Sequence, residues 1–302
     1  MPDALPSLLA DHGRYDYSPI VERPRFTWPG GARVALHITF GLEHYAFGEG
    51  LVEDLVPGAS HPDVLNTSWR EYGNRVGAWR VLDLLAEHSA PLGILLNSAV
   101  CDHAPALIEA CVGAGHELIG HGRSNSDTMA GMDDATQAAY LRSVDERIAQ
   151  ASGVPTRGWA SPWLAETPTT PDLLQEQGYG YLLDWCMDDQ PVWMKTRGGP
   201  LLSVPYSQEL NDSSAIIGRQ VGAQAFGEMI VDQFDEMTAT AARDGRPVVM
   251  SVVLHAFIMG QPFRLRALRR ALEHILKPNP DVWVARPRDI ADHFRTVRPP
   301  VS

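Results

Sequence analysis

The residues of this chain best suited to chemistry each come directly after a short apolar run. Glu43 follows the run Arg33–Phe40 by way of Gly41 and Leu42, His121 follows Glu117–Gly120, Asp184 closes Tyr181–Asp184, and His255 closes Val248–His255. A carboxylate can take a proton from water, a histidine can give one to a leaving group, and a second histidine can polarise a carbonyl. That set is suited to general acid–base chemistry. Glu43 is expected to be the general base and His255 the proton donor or electrostatic stabiliser. His121 would polarise the carbonyl or position the water, and Asp184 would orient one of the histidines. Exchanging the jobs of the two histidines violates nothing in the sequence. Around them, Arg123 is suited to gripping a carboxylate by a paired contact, and Asn125, Trp163 and Glu166 are expected to line the substrate bowl.

Such residues converge only if the elements carrying them share one end of a sheet. Short apolar, β-branched runs alternate along the chain with helical patterns, for example Val76, Trp79, Leu82 and Leu85 within 72–88. Alternation of this kind implies parallel strands joined by helical crossovers. About seven such units are counted, with no internal repeat, linker or glycine-rich phosphate loop after the first strand, so a nucleotide-binding sheet is disfavoured. The expectation is an α/β fold: a distorted (β/α) barrel, whose active site belongs at the C-terminal ends of its strands. Residues 1–31, rich in Pro, Tyr, Arg and Gly, read as an irregular arm packed on the body, and 32–302 as one barrel domain. The loop His44–Ser68 is expected to decide specificity.

Composition narrows the partners. The chain has 302 residues, 25 Lys plus Arg against 37 Asp plus Glu, and a net charge of −12. So acidic a protein is a poor match for phosphates or an anionic membrane. Cys101, Cys111 and Cys186 lie far apart and read as buried free thiols in a reduced compartment, not as a disulfide or zinc framework. No apolar run approaches the ~20 residues of a membrane span, and the N-terminus lacks a signal-peptide pattern. A cytoplasmic protein acting on a small molecule, without nucleic acid or membrane as partner, is expected.

Four segments in this order resemble the polysaccharide deacetylase superfamily, the fourth carbohydrate esterase family among them: 71–80, Gly115–Gly122, Leu254-His255 followed by Gly260–Pro262, and Val282–Ile290. The likeness runs from about Tyr15 to Arg295 and is closest to the metal-independent allantoinase-like branch. Typical members carry Thr-Phe-Asp-Asp on the first strand. Here Thr39-Phe40 is followed by Gly41-Leu42, and the acid comes one residue later, at Glu43. The family's paired metal-binding histidines match His121 and Asn125, the arginine motif matches Ala160–Trp163 without its arginine, and the general-acid histidine matches His255. A metal, if bound, would be held by Glu43, His121 and Asn125. An amide oxygen is a weak donor for zinc, so affinity for it should fall, and no cofactor is required on the favoured reading.

The resemblance implies a hydrolase of non-peptide C–N bonds acting, allantoinase-like, on a small and cyclic amide, and a homo-oligomer such as a tetramer. The alternatives are a metal-dependent deacetylase of N-acetylated sugars and a catalytically degenerate barrel that binds without turnover.

Overall fold

The structure, a computed structural model, describes residues 11–50 and 53–300. In chain order its strands and helices begin with β1 (Val34–Leu42), α1 (Val64–Tyr72), α2 (Ala78–Ala86), β2 (Leu92–Leu96), α3 (Val100–His103), α4 (Pro105–Gly113) and β3 (Glu117–Gly120). They continue with α5 (Asp134–Ser152), β4 (Gly158–Trp159), α6 (Thr170–Glu176), β5 (Tyr181–Leu182), β6 (Val192–Thr196) and β7 (Gly199–Ser203). The last are α7 (Ala223–Asp244), β8 (Val248–His255), α8 (Ala256–Met259), α9 (Pro262–Ile275), β9 (Val282–Val284) and α10 (Pro287–Val297).

One curled sheet runs β6-β7-β5-β4-β3-β2-β1-β8, parallel except for the β6–β7 hairpin, and so forms a half-barrel. β1 is buried at every position. Its first residues, Val34–Leu36, pair with β8 on one side and β9 on the other, and β2 replaces β9 from Ile38 onward. A strand covered on both faces must be apolar throughout, which is why β1 and β8 read as continuous runs and not as alternating ones. The gap between the sheet's two ends is stitched beyond β7. Val253 N donates to Leu210 O at 2.9 Å, with Asn211 in register beside Val253.

Residues 1–10 of the expected arm lie outside the described residues. The rest is tied down: Arg14 reaches both oxygens of Asp172 at 2.7 Å, Arg23 grips Asp188 at 2.7 and 2.6 Å, and Trp28 donates to Val248 O at 3.0 Å. No helix among the described residues is long and apolar enough to cross a membrane. Cys101 and Cys111 are buried, but Cys186 is exposed, against expectation.

Two segments differ from the sequence reading. The helix expected at 72–88 is α1, a π-helical turn at 73–77 and α2, so the long loop ends at Asp63. Asp63 caps α1 by accepting from Asn66 N. The start was hidden because α1 buries Asn66, Thr67, Trp69 and Arg70 while Val64 and Leu65 face solvent, an inverted pattern. The strands expected at 158–163 and 181–184 pair only at 158–159 and 181–182. Beyond them the chain turns at Pro162, and Asp184 binds Ser161 instead of extending the ladder.

The turn at 73–77 presses its backbone onto α8. A Cβ on Gly77 would lie 2.1 Å from Ala256 O, the residue next to His255. Gly77→Ala is therefore expected to destabilise the protein by about 1–3 kcal/mol, read as a lower urea midpoint at unchanged slope.

Candidate active site

Glu43, His121 and His255 meet at the C-terminal ends of β1, β3 and β8. Glu43 Oε1 stands 3.4 Å from His121 Nε2 and 3.4 Å from His255 Nε2, and all three side chains are buried. Gly41 makes this possible. A Cβ there would come within 3.2 Å of both Glu43 Oε1 and the His255 ring, so the Glu43 carboxylate fills the space a side chain at 41 would enter. The shift of the acid from 41 to 43 thus keeps a carboxylate in nearly the same place.

Each histidine is held from behind. His121 Nδ1 donates to Ala160 O at 2.7 Å, which leaves Nε2 facing Glu43. His255 Nδ1 is 2.5 Å from Asp212 Oδ1, and Asp212 Oδ2 accepts from the His255 backbone N–H at 2.8 Å. The orienting carboxylate is therefore Asp212, which sequence reasoning missed. Asp184, given that job from sequence, instead accepts from Ser161 N at 2.6 Å and Ser161 Oγ at 2.7 Å, and makes no hydrogen bond to a histidine.

The charges follow from burial and pairing. Burial pushes Glu43 up, but His255, His121 and the Tyr45 hydroxyl outweigh it and bring its pKa down to about 2. Burial works against the His255 cation, yet Glu43 and Asp212 raise it to about 10. At neutral pH the resting site is a Glu43 carboxylate facing a His255 imidazolium. Glu166 is driven the other way. Burial and then the Asp184 charge raise it to about 9, so it is a neutral acid that accepts from Trp185 Nε1 at 2.9 Å.

The other residues expected to bind substrate separate. Asn125 is buried, its Oδ1 accepting from Asn97 Nδ2 at 3.0 Å and its Nδ2 donating to the Tyr45 hydroxyl at 3.3 Å. Trp163, at a positive φ of 53°, donates through Nε1 to Glu53 Oε2 at 3.1 Å. Glu166 is spent on Trp185 and Asp184. Arg123, whose side chain is 67% exposed, is forked onto Asp127 at 2.7 and 2.8 Å and does not enter the site. Its spacing to Asp127, four residues on, was the available sign of a surface pair.

Tyr45, Glu53 and Tyr206 were also missed. The Tyr45 hydroxyl touches Glu43 Oε2 at 2.9 Å and Glu53 Oε2 at 2.8 Å. The Tyr206 phenol is held neutral, its pKa raised by burial and then by the charges of Glu43, Asp184, Asp212 and Glu53. Nothing in a strand or helix pattern marks these positions.

The metal set Glu43, His121 and Asn125 does not fit a bound ion. The Asn125 oxygen is turned to Asn97, and His255 as a cation has no lone pair to offer. His121 Nε2 and Glu43 are left, fewer than the three or four donors zinc takes. Among the described residues no group of three or more His, Cys, Asp or Glu side chains is arranged to hold a metal.

Comparison with known proteins agrees with this frame. The polysaccharide deacetylase family matches residues 71–182. A Schizosaccharomyces pombe protein, provisionally named a polysaccharide deacetylase, is 25% identical over 90% of this chain and 93% of its own length. A peptidoglycan deacetylase of Helicobacter pylori is 24% identical over 78% and 89%. Among solved structures, PuuE allantoinase has 29% identity and a TM-score of 0.81, covering 95% of this chain and 100% of that one. The chain is thus similar to the polysaccharide deacetylases and to an allantoinase, and acts as a hydrolase of carbon–nitrogen bonds other than peptide bonds.

Proposed function

We propose that the protein opens a small, polar cyclic amide of the hydantoin kind by water that Glu43 activates, with His255 as the acid. The observation that carries this reading is the buried ion pair of Glu43 and His255, whose Oε1 and Nε2 stand 3.4 Å apart.

Glu43 takes a proton from water as the oxygen bonds to the acyl carbon. The neutral Tyr206 phenol is the donor at hand for the developing oxyanion, and His121 positions the water through Nε2. The C–N bond then breaks as His255 gives its Nε2 proton to the leaving nitrogen. The new carboxylic acid returns its proton to His255, and Glu43 loses its own to solvent as product departs. A carboxylate with a pKa near 2 is a feeble base in the resting site. The two transfers help one another, because once His255 is neutral the charge that depresses Glu43 has gone. The likeness to PuuE allantoinase supports a cyclic ureide over an N-acetylated sugar. A homo-oligomer acting in the cytoplasm, with no cofactor, belongs to the same proposal.

The test is hydrolysis of allantoin by protein purified without added metal, assayed before and after chelation. Turnover undiminished by the chelator is the expected result. Loss on chelation with recovery on adding zinc would instead put the chemistry on a metal and favour the deacetylase reading.

A further inference from the structure

A second carboxylate of the chain itself sits one hydroxyl away from Glu43. Glu53, from the loop between β1 and α1, is buried, and three side chains from three different segments converge on its carboxylate. Trp163 Nε1 donates to Oε2 at 3.1 Å, the Tyr45 hydroxyl lies 2.8 Å from Oε2, and Ser213 Oγ donates to Oε1 at 2.7 Å. Trp163 follows β4, Tyr45 follows β1 and Ser213 follows β7, so these donors belong to the rim of the half-barrel and not to the loop that carries Glu53.

Two features show that Glu53 sits there at a cost. Its φ is 60°, in the left-handed region that side chains other than glycine's rarely adopt. The Tyr45 hydroxyl has one hydrogen for two carboxylates, Glu43 at 2.9 Å and Glu53 at 2.8 Å, so it cannot satisfy both while both are charged. Built donors holding a strained, competing occupant are the mark of a pocket made for something else.

We propose that Trp163, Ser213 and Tyr45 form a carboxylate-binding pocket that Glu53 fills at rest and that receives the carboxylate of a ureido acid once the amide is opened. This rests on the amide-hydrolysis reading, since water attack on an amide leaves a carboxylate on the acyl carbon. The pocket lies one hydroxyl away from Glu43, which suits that carbon. At the product stage Glu43 holds the proton it took from water. The Tyr45 hydrogen is then free to turn to the ligand, and the conflict that burdens Glu53 is absent. The pocket also supplies the carboxylate recognition that Arg123, paired at the surface, does not.

The experiment is calorimetric titration with N-carbamoylglycine as probe, and with acetate as a smaller one. Glu53→Ala is expected to bind both at least about tenfold more tightly than the unaltered protein, with acetamide showing no gain. Adding Ser213→Ala should erase the improvement. Glu53→Gln, which keeps the shape of the loop and removes the charge, should show a smaller gain, and acetate should raise the Tm of Glu53→Ala more than that of the parent. Equal or weaker binding by both Glu53 variants, or a gain that survives Ser213→Ala, overturns the proposal. No turnover enters these readouts. A protein that opens no cyclic amide but gains acetate binding on Glu53→Ala would refute the substrate reading and support the pocket.

Discussion

Glu43→Gln is expected to lower kcat by about 10²–10⁴-fold, the usual worth of a positioned general base, while substrate still binds. The amide has the carboxylate's shape and keeps an oxygen for the Tyr45 hydroxyl, but it takes no proton. His255 retains Asp212 at 2.5 Å, so the variant does not bury an unpaired cation. Single-turnover rates together with calorimetric affinity separate the two effects. A parallel loss of binding and rate would show that Glu43 holds substrate and does not activate water.

The same substitution has a stability signature whose sign is fixed. Glu43 has its pKa depressed from 4.5 to about 2, so its contribution is fully present above 4.5 and is lost as pH falls through 2. The Gln variant never has it. Its Tm deficit against the parent should therefore be full at pH 7 and shrink below pH 4.5.

The second large effect is expected from Asp212→Asn. Asp212 is one of the three charges, with Glu43 and Glu53, that hold His255 as a cation up to about pH 10. Without it the alkaline limb of kcat/KM should move down by about 1–3 units, the ordinary effect of one close opposite charge, and kcat at neutral pH should fall by about 10²-fold or more. Because the His255 pKa is raised, its stabilising pairing is complete below 6.5 and is lost as pH rises through 10. The variant should lose that stability at a lower pH than the parent. A pH–rate profile and a Tm series on the same buffers check both. An unmoved alkaline limb would assign it to another group.

The parts of this site legible in the sequence are those that end strands. Glu43, His121 and His255 each close a run whose burial makes it apolar, and a polar residue there stands out against its neighbours. Strand β8 and helix α7 could be placed for the same reason, since continuous burial and a helical stripe leave periodic traces. Asp212 left none. It lies in the irregular segment after β7, and it reaches His255 only because Leu210 and Asn211 are stitched to Val253, a long-range contact with no local pattern. Tyr45 and Glu53 stand in or next to the loop, where no period applies. Asp184 was misassigned because position alone cannot say which of two carboxylates near a histidine holds its ring; Ser161 had already taken both Asp184 oxygens. The resemblance to a family located the site, and the departures from its motifs, Gly41 above all, acquired meaning only from the space that Glu43 fills.

The stitch between Leu210 and Val253 also has a consequence in time. It closes an otherwise open edge of the sheet with few bonds, so it should part in local excursions far less costly than global unfolding. Each excursion carries Asp212 away from His255 and weakens the imidazole's hold on its proton. The strength of the acid is then an average over closed and open seams. Slow hydrogen exchange at the Val253 and His255 amides, which donate to Leu210 and Asp212, would count the fraction of molecules that are momentarily unarmed.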